Sequence, residues 1–158
     1  MKLSDIVQPA AITQELGSVQ REEVLRELVE SLVEAGVADA SHTEELFEKI
    51  LERERRHSTG FGKGVAVPHV KHRAVTRLAA AIGVSQRGIE FDAMDKQPVY
   101  TVFMLLTPAD RPEDHLQAME AIFKNLSTES FRRGLRQASS REDIVTLLND
   151  ADGPQPAG

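Results

Sequence analysis

The chain has 158 residues, long enough for one domain with a substantial core. Its 41% hydrophobic and 28% charged residues fit an ordinary soluble globular protein, and the absence of cysteine excludes disulfides and thiolate metal sites. A net charge of −6 argues against a nucleic-acid partner and suits a basic protein partner, and no apolar run approaches the ~20 residues of a membrane span.

In chain order, Met1 to Asp5 lacks the apolar core of a signal peptide, which points to a cytoplasmic protein. Leu3, Ile6, Val7 and Ile12 suggest an entry turn and an extended segment broken at Pro9. Ser18 is a candidate N-cap for a helix over about 20–35, whose apolar stripe is Val24, Leu25, Leu28, Val29, Leu32 and Val33, with Gly36 closing it. Ser41 and Glu44 form a capping-box pattern for a second helix, running to about Arg55, with Leu46, Phe47, Ile50 and Leu51 inward.

Residues 71–77 are polar and read as a loop. Leu78 to Ser85 reads as a strand broken by Arg87-Gly88, with a minor strand at 89–91. Val99 to Leu106 is almost wholly apolar and reads as a strand buried on both faces at the sheet centre. Asp110 and Pro112 mark the start of a helix over about 112–126 that turns Leu116, Met119, Ile122 and Phe123 inward. Thr128 and Ser139 look like caps for two further helices that pack Phe131 and Leu135, then Ile144, Val145, Leu147 and Leu148. Residues 1–149 form the domain, and 150–158 read as a flexible C-terminal tail. Strands and helices interleave, so the class is α/β: a single domain with a small central mixed sheet.

The most informative stretch runs from Ser58 to His69: Ser58-Thr59-Gly60-Phe61-Gly62-Lys63-Gly64-Val65-Ala66-Val67-Pro68-His69. Alternating glycines permit tight turns, and Pro68 stiffens the backbone that presents His69 at the end of a short strand. The glycines fit neither a P-loop nor a dinucleotide fingerprint, because no Ser or Thr follows Gly62-Lys63 and the spacing is wrong. A neutral imidazole held this way is a competent nucleophile toward phosphorus.

This stretch resembles the active-site segment of the IIA proteins of the bacterial phosphotransferase system, of the fructose/mannitol type and its nitrogen-regulatory relatives. The pattern there reads roughly S-T-G-x-G-x-G-x-A-x-P-H, and its histidine carries a phosphoryl group. The resemblance continues through the Val99–Pro108 strand and Pro108-Ala109-Asp110 to His115-Leu116, and it implies helices on both sides of the sheet. It departs at Val70, where the family usually has a small residue.

By that resemblance, His69 accepts phosphate from a phosphohistidine on an HPr-like carrier, and His115 and Arg53 support the phosphoryl group. Arg55, next to Arg53 at the end of the second helix, is a further candidate, since guanidinium pairs well with phosphate oxygens. Ser58 and Thr59 carry hydroxyls that can serve the phosphoryl group or the glycine turn. Phe61, Val65, Val67 and Val70 would form an apolar docking surface. His42, His57 and His72 read as surface residues; a zinc reading of His69, His72 and His115 has no Cys or HExxH pattern behind it, so no metal and no cofactor is expected.

The function expected is that of a phosphoryl carrier, with a IIB protein or a regulatory target downstream. No attached IIB or membrane segment is visible, which tilts the expectation toward the nitrogen-regulatory type. The alternative is a non-catalytic binding module that keeps the fold.

Overall fold

The computed structural model describes residues 1–153. Helix α1 (Leu3–Ile6) leads into strand β1 (Val7–Thr13), followed by α2 (Arg21–Glu34) and α3 (Thr43–Arg56). Three short strands come next, β2 (Gly60–Gly62), β3 (Val65–Ala66) and β4 (His69–His72), then the long strands β5 (Ala79–Ile89) and β6 (Val99–Pro108). Helices α4 (Pro112–Leu126), α5 (Glu129–Gln137) and α6 (Arg141–Asp152) complete the fold.

The sheet order is β1-β5-β6-β3-β2, with β4 also on β6. β1 runs parallel to β5, and β3 and β4 run parallel to β6, whereas β5–β6 and β2–β3 are antiparallel, so the sheet is mixed. β6 lies at the centre, and its side chains alternate between two cores. Val102, Met104 and Leu106 pack with α2 and α3, while Phe103 and Leu105 pack with α1, α4, α5 and α6. Helices therefore cover both faces. Each fully buried Leu, Ile or Phe contributes about 1.5–3 kcal/mol, so these two layers are the main source of stability.

Several local signals act as the sequence suggests. α2 ends in a Schellman motif: Gly36 (φ 86°) donates to Val33 O at 2.9 Å and Val37 donates to Leu32 O at 3.1 Å. Pro9 sits inside β1, where register shifts between Val7 and Ile12; an edge strand tolerates a missing N–H at such a bulge.

Other expectations are corrected. Ser18 is no N-cap: α2 starts at Arg21, because the chain stays extended through Gln20, which bridges to Glu90, and Ser18 Oγ accepts from Gln20 N. Ser41 does not cap α3, whose N-cap position is held by His42; Asp39 caps the 3-10 turn at Ala40–His42, accepting from Ser41 N and Oγ, and Glu44 pairs with Arg26. Asp110 does not cap α4, whose N-cap position is held by Arg111 with no side-chain cap hydrogen bond. Ser140, not Ser139, caps α6; Ser139 instead donates to Asp143. Residues 79–89 form one strand, with Gly88 (φ 86°) absorbed in a register shift between Val84 and Ile89.

Finally, α6 continues through Asp152, three residues into the expected tail; residues 154–158 lie outside the described residues. The Asp152 carboxylate accepts from Leu3 N at 2.7 Å and Ser4 N at 2.8 Å, joining α6 to the first turn of α1.

Candidate active site

The glycine segment is a tight hairpin. Gly62, Lys63 and Gly64 all have positive φ (110°, 62° and 75°), which turns β2 onto β3. From there the chain keeps a single register along β6: Val65 and Ala66 pair with Thr101 and Val102, and His69 and Val70 pair with Leu105 and Leu106. β3 and β4 are thus two parts of one line, interrupted at Val67-Pro68, and Pro68 O still accepts from Leu105 N at 2.9 Å. His69 opens the second part, where the sequence had suggested a strand end and a loop.

Paired residues of parallel strands share a face. His69 and Lys71 therefore lie with Leu105 and Thr107 on the α4 side, and Val70 and His72 face α3. His72 is not a surface residue. It is largely buried, its Nδ1 accepts from Ala74 N at 3.0 Å, and its Nε2 donates toward Glu45 at 3.2 Å. It points away from His69, so the two cannot share a metal through one face.

The half-buried His69 ring donates from Nδ1 to Val67 O at 2.7 Å. This places the neutral ring's lone pair on Nε2. Burial is the main cause that pushes the His69 pKa below its usual value; the Val67 hydrogen bond opposes it, and the Arg53 charge reinforces it. His115, on α4, stands beside it: the ring centroids are 5.5 Å apart and the planes tilt by 51°. Its Nδ1 is 2.7 Å from Thr107 Oγ1. Burial foremost, then the charges of His69 and Lys71, lower its pKa to about 4.

Arg53, in the last turn of α3, donates from Nη1 to His57 O at 3.0 Å and pairs with no carboxylate among the described residues. Its charge acts on His69, whose ring stands beside that of His115. Arg55 is directed elsewhere: it pairs with Glu22 of α2 at 2.6 Å, because helical positions two apart are rotated by about 200° and face nearly opposite sides. Thr59 is committed too. Its N–H and Oγ1 donate to the Glu54 carboxylate at 2.5 and 2.7 Å. Ser58 Oγ accepts from Gly60 N at 3.0 Å and serves the turn. His57 is exposed, and His42 lies 3.7 Å from Glu45.

The docking set needs correction. Val65 and Val67 are fully buried, and Val70 packs against the α2–α3 core. Phe61 and Val70 both stay partly open, and Phe61 lies 5.0 Å from Phe123 between ring centroids. On α4 the buried row is Ala118, Ile122 and Leu126, which leaves Leu116 61% and Phe123 38% exposed instead of inward. His115, Leu116, Met119 and Phe123 recur at helical spacing, so an apolar strip starts at the second histidine.

Sequence reasoning missed three residues. Glu54, 2% exposed, extends the inward row Phe47, Ile50, Leu51 by one step, and that position was the available signal. Thr107 is the polar end of an apolar strand. Lys71, read as loop, is a cation on the His69 face. The charges of Arg53 and Lys71 thus act on His69, whose Nε2 has no hydrogen-bond partner among the described residues.

A family model described as "Phosphoenolpyruvate-dependent sugar phosphotransferase system, EIIA 2" matches residues 5–151. The chain belongs to this EIIA family. It is similar to the fructose-specific EIIA component of Haloferax volcanii, 35% identical over 146 residues, which cover 92% of this chain and 94% of that protein. It is also similar to the fructose-specific EIIABC component of Bacillus subtilis, 32% identical over 152 residues; there the match covers 96% of this chain but 24% of the relative. The crystal structure of nitrogen regulatory protein IIA-Ntr from Neisseria meningitidis superposes with a TM-score of 0.81 at 28% identity, covering 92% of this chain and 97% of that one. This EIIA chain thus has the mixed sheet with helices on both faces that the sequence suggests, and no helix among its described residues is long and apolar enough to cross a membrane.

Proposed function

We propose that this EIIA chain is a cytoplasmic phosphoryl carrier that works through His69. The observation that carries the reading is the Nδ1–H···O=C hydrogen bond to Val67, which leaves Nε2 as the free nitrogen. The Nε2 lone pair attacks the phosphorus of a phosphohistidine on an HPr-like protein. The new N–P bond forms as the donor's N–P bond breaks, and the donor imidazole keeps that electron pair. Arg53, Lys71 and the N–H of His115 face the oxygens where charge collects in the transition state. The strip of Leu116, Met119, Phe123 and Phe61 receives the partner. The group then passes to a IIB protein or acts as a regulatory signal on a target protein. The likeness to IIA-Ntr over nearly all of that structure supports the nitrogen-regulatory type.

The test is incubation with phosphoenolpyruvate, enzyme I and HPr, followed by intact-mass analysis. One acid-labile phosphoryl adduct on the wild type, absent from His69→Ala, is the expected result. An unlabelled wild type, with a known IIA protein labelled in parallel and cognate HPr supplied, would overturn the carrier reading in favour of a binding module.

A further inference from the structure

We propose that Thr107 is a positioning residue for phosphoryl transfer: its hydroxyl fixes the proton of His115 on Nε2, so that this N–H points at the phosphoryl group on His69. The inference rests on the carrier reading for its purpose, and on three observations for its geometry.

The first is placement. Thr107 pairs with Lys71 across β4–β6, two residues on from the His69–Leu105 pair, so Thr107 and His69 are diagonal neighbours on one face of the sheet. α4 lays His115 over that face, its ring 5.5 Å from that of His69.

The second is burial. Thr107 is fully buried, at the end of a strand whose neighbours Phe103, Met104, Leu105 and Leu106 are all apolar and fully buried. A hydroxyl in such a place must use its proton, because an unmade hydrogen bond there costs about 1–3 kcal/mol.

The third is the direction of the bond. Among the described residues, the Thr107 hydroxyl has one partner, His115 Nδ1, at 2.7 Å. With the imidazole proton on Nδ1, nitrogen would donate to Oγ1 and the hydroxyl proton would have no acceptor. With the proton on Nε2, Oγ1–H donates to Nδ1 and both groups are satisfied. The second arrangement is the one the structure favours. Nε2, the other ring nitrogen, has no hydrogen-bond partner among the described residues, and the ring stands beside that of His69. His115 then donates to a phosphoryl oxygen while neutral, and no proton has to be taken up beforehand.

His69 and His115 thus act as opposites. A backbone carbonyl draws the His69 proton to Nδ1 and frees Nε2 to attack; a buried hydroxyl caps Nδ1 of His115 and makes Nε2 a donor.

The test uses the full chain and two variants, Thr107→Val, which keeps the shape, and Thr107→Ser, which keeps the hydroxyl. Nitrogen-15 NMR of the free protein at neutral pH reads the His115 tautomer, and rapid quench with phospho-HPr reads the transfer rate. We expect the Nε2–H tautomer in the wild type and in Thr107→Ser, and loss of that preference in Thr107→Val. Transfer should slow at least about tenfold in Thr107→Val, as when a group that orients a working imidazole is removed, and recover in Thr107→Ser. A wild-type His115 with its proton on Nδ1, or a Thr107→Val variant that keeps tautomer and rate, overturns the proposal. A wild type that takes up no phosphoryl group brings down the carrier reading instead, and the proposed role in transfer with it.

Discussion

Glu54 and Thr59 form a closed pair: both carboxylate oxygens of the one are taken by the backbone N–H and the hydroxyl of the other, at 2.5 and 2.7 Å. This pair ties the end of α3, which carries Arg53, to the start of the glycine hairpin that leads to His69. A buried carboxylate with both contacts made is stabilising, and the same carboxylate with one contact removed is a liability. Glu54→Gln puts an amide N–H₂ against the Thr59 donors and should cost about 1–3 kcal/mol. Urea unfolding of Glu54→Gln, Thr59→Val and the double variant is the check. Strictly additive losses would show that the two residues do not act as a unit.

The pH response follows from the two histidines. Both pKa values are lowered in the fold, that of His115 to about 4, from an ordinary value near 6.5. Between about 4 and 6.5 the unfolded chain binds more protons than the folded one. Stability contributed by these groups is therefore full above pH 6.5 and declines as pH falls toward 4. Urea midpoints at pH 7.5 and pH 5 should show the drop, and His115→Gln should reduce it. With His69 as the proposed acceptor, phosphoryl uptake needs the ring neutral, so it should stay flat as pH passes down through 6.5 and fall only below it. An uptake profile with its midpoint at or above 6.5 would contradict the burial of His69.

Gly60 is required for space. A Cβ there would lie 2.8 Å from Ala93 Cβ and 3.1 Å from Ala93 Cα, and the latter is backbone that cannot step aside. Gly60→Ala should lose about 1–3 kcal/mol. Adding Ala93→Gly removes the nearer atom and should return part of that loss. Equal stability of Gly60→Ala and wild type by urea denaturation would disprove the clash.

The strip on α4 predicts a separation of binding from folding. Leu116 is 61% exposed, so Leu116→Ser should change stability by no more than about 0.5 kcal/mol. It should still weaken binding of the proposed HPr partner by about 1–2 kcal/mol, as expected for an apolar anchor beside the proposed transfer site. Titration calorimetry against HPr measures this. Undiminished affinity in a Leu116→Ser/Phe123→Ser variant would place the docking surface elsewhere.

Much of this was legible in the sequence, for reasons of range. The stripes of α2 and α3 and the apolar run of β6 are local patterns, and the motif around His69 is contiguous. β4 was not legible, because Lys71 and His72 are polar and the strand exists only through its backbone bonds to β6, far away in sequence. Nor could an apolar residue on α4 be assigned to core or surface by spacing alone: Leu116 and Phe123 fit a helical stripe as well as Ala118 and Ile122 do, and only the small side chain of Ala118 betrays which row meets the sheet. Glu54 and Thr107 escaped because a single polar residue in an apolar row looks like noise until its partner is known.

The hold of Asp152 on Leu3 and Ser4 has a further consequence. It places the two ends of the fold side by side, closing the unit like a clasp. A body built that way can be spliced into a longer polypeptide with both linkers leaving from one spot and no strand of the sheet unpicked. The same architecture therefore suits both a stand-alone component and a module that makes up only 24% of a larger relative, as in the Bacillus subtilis protein.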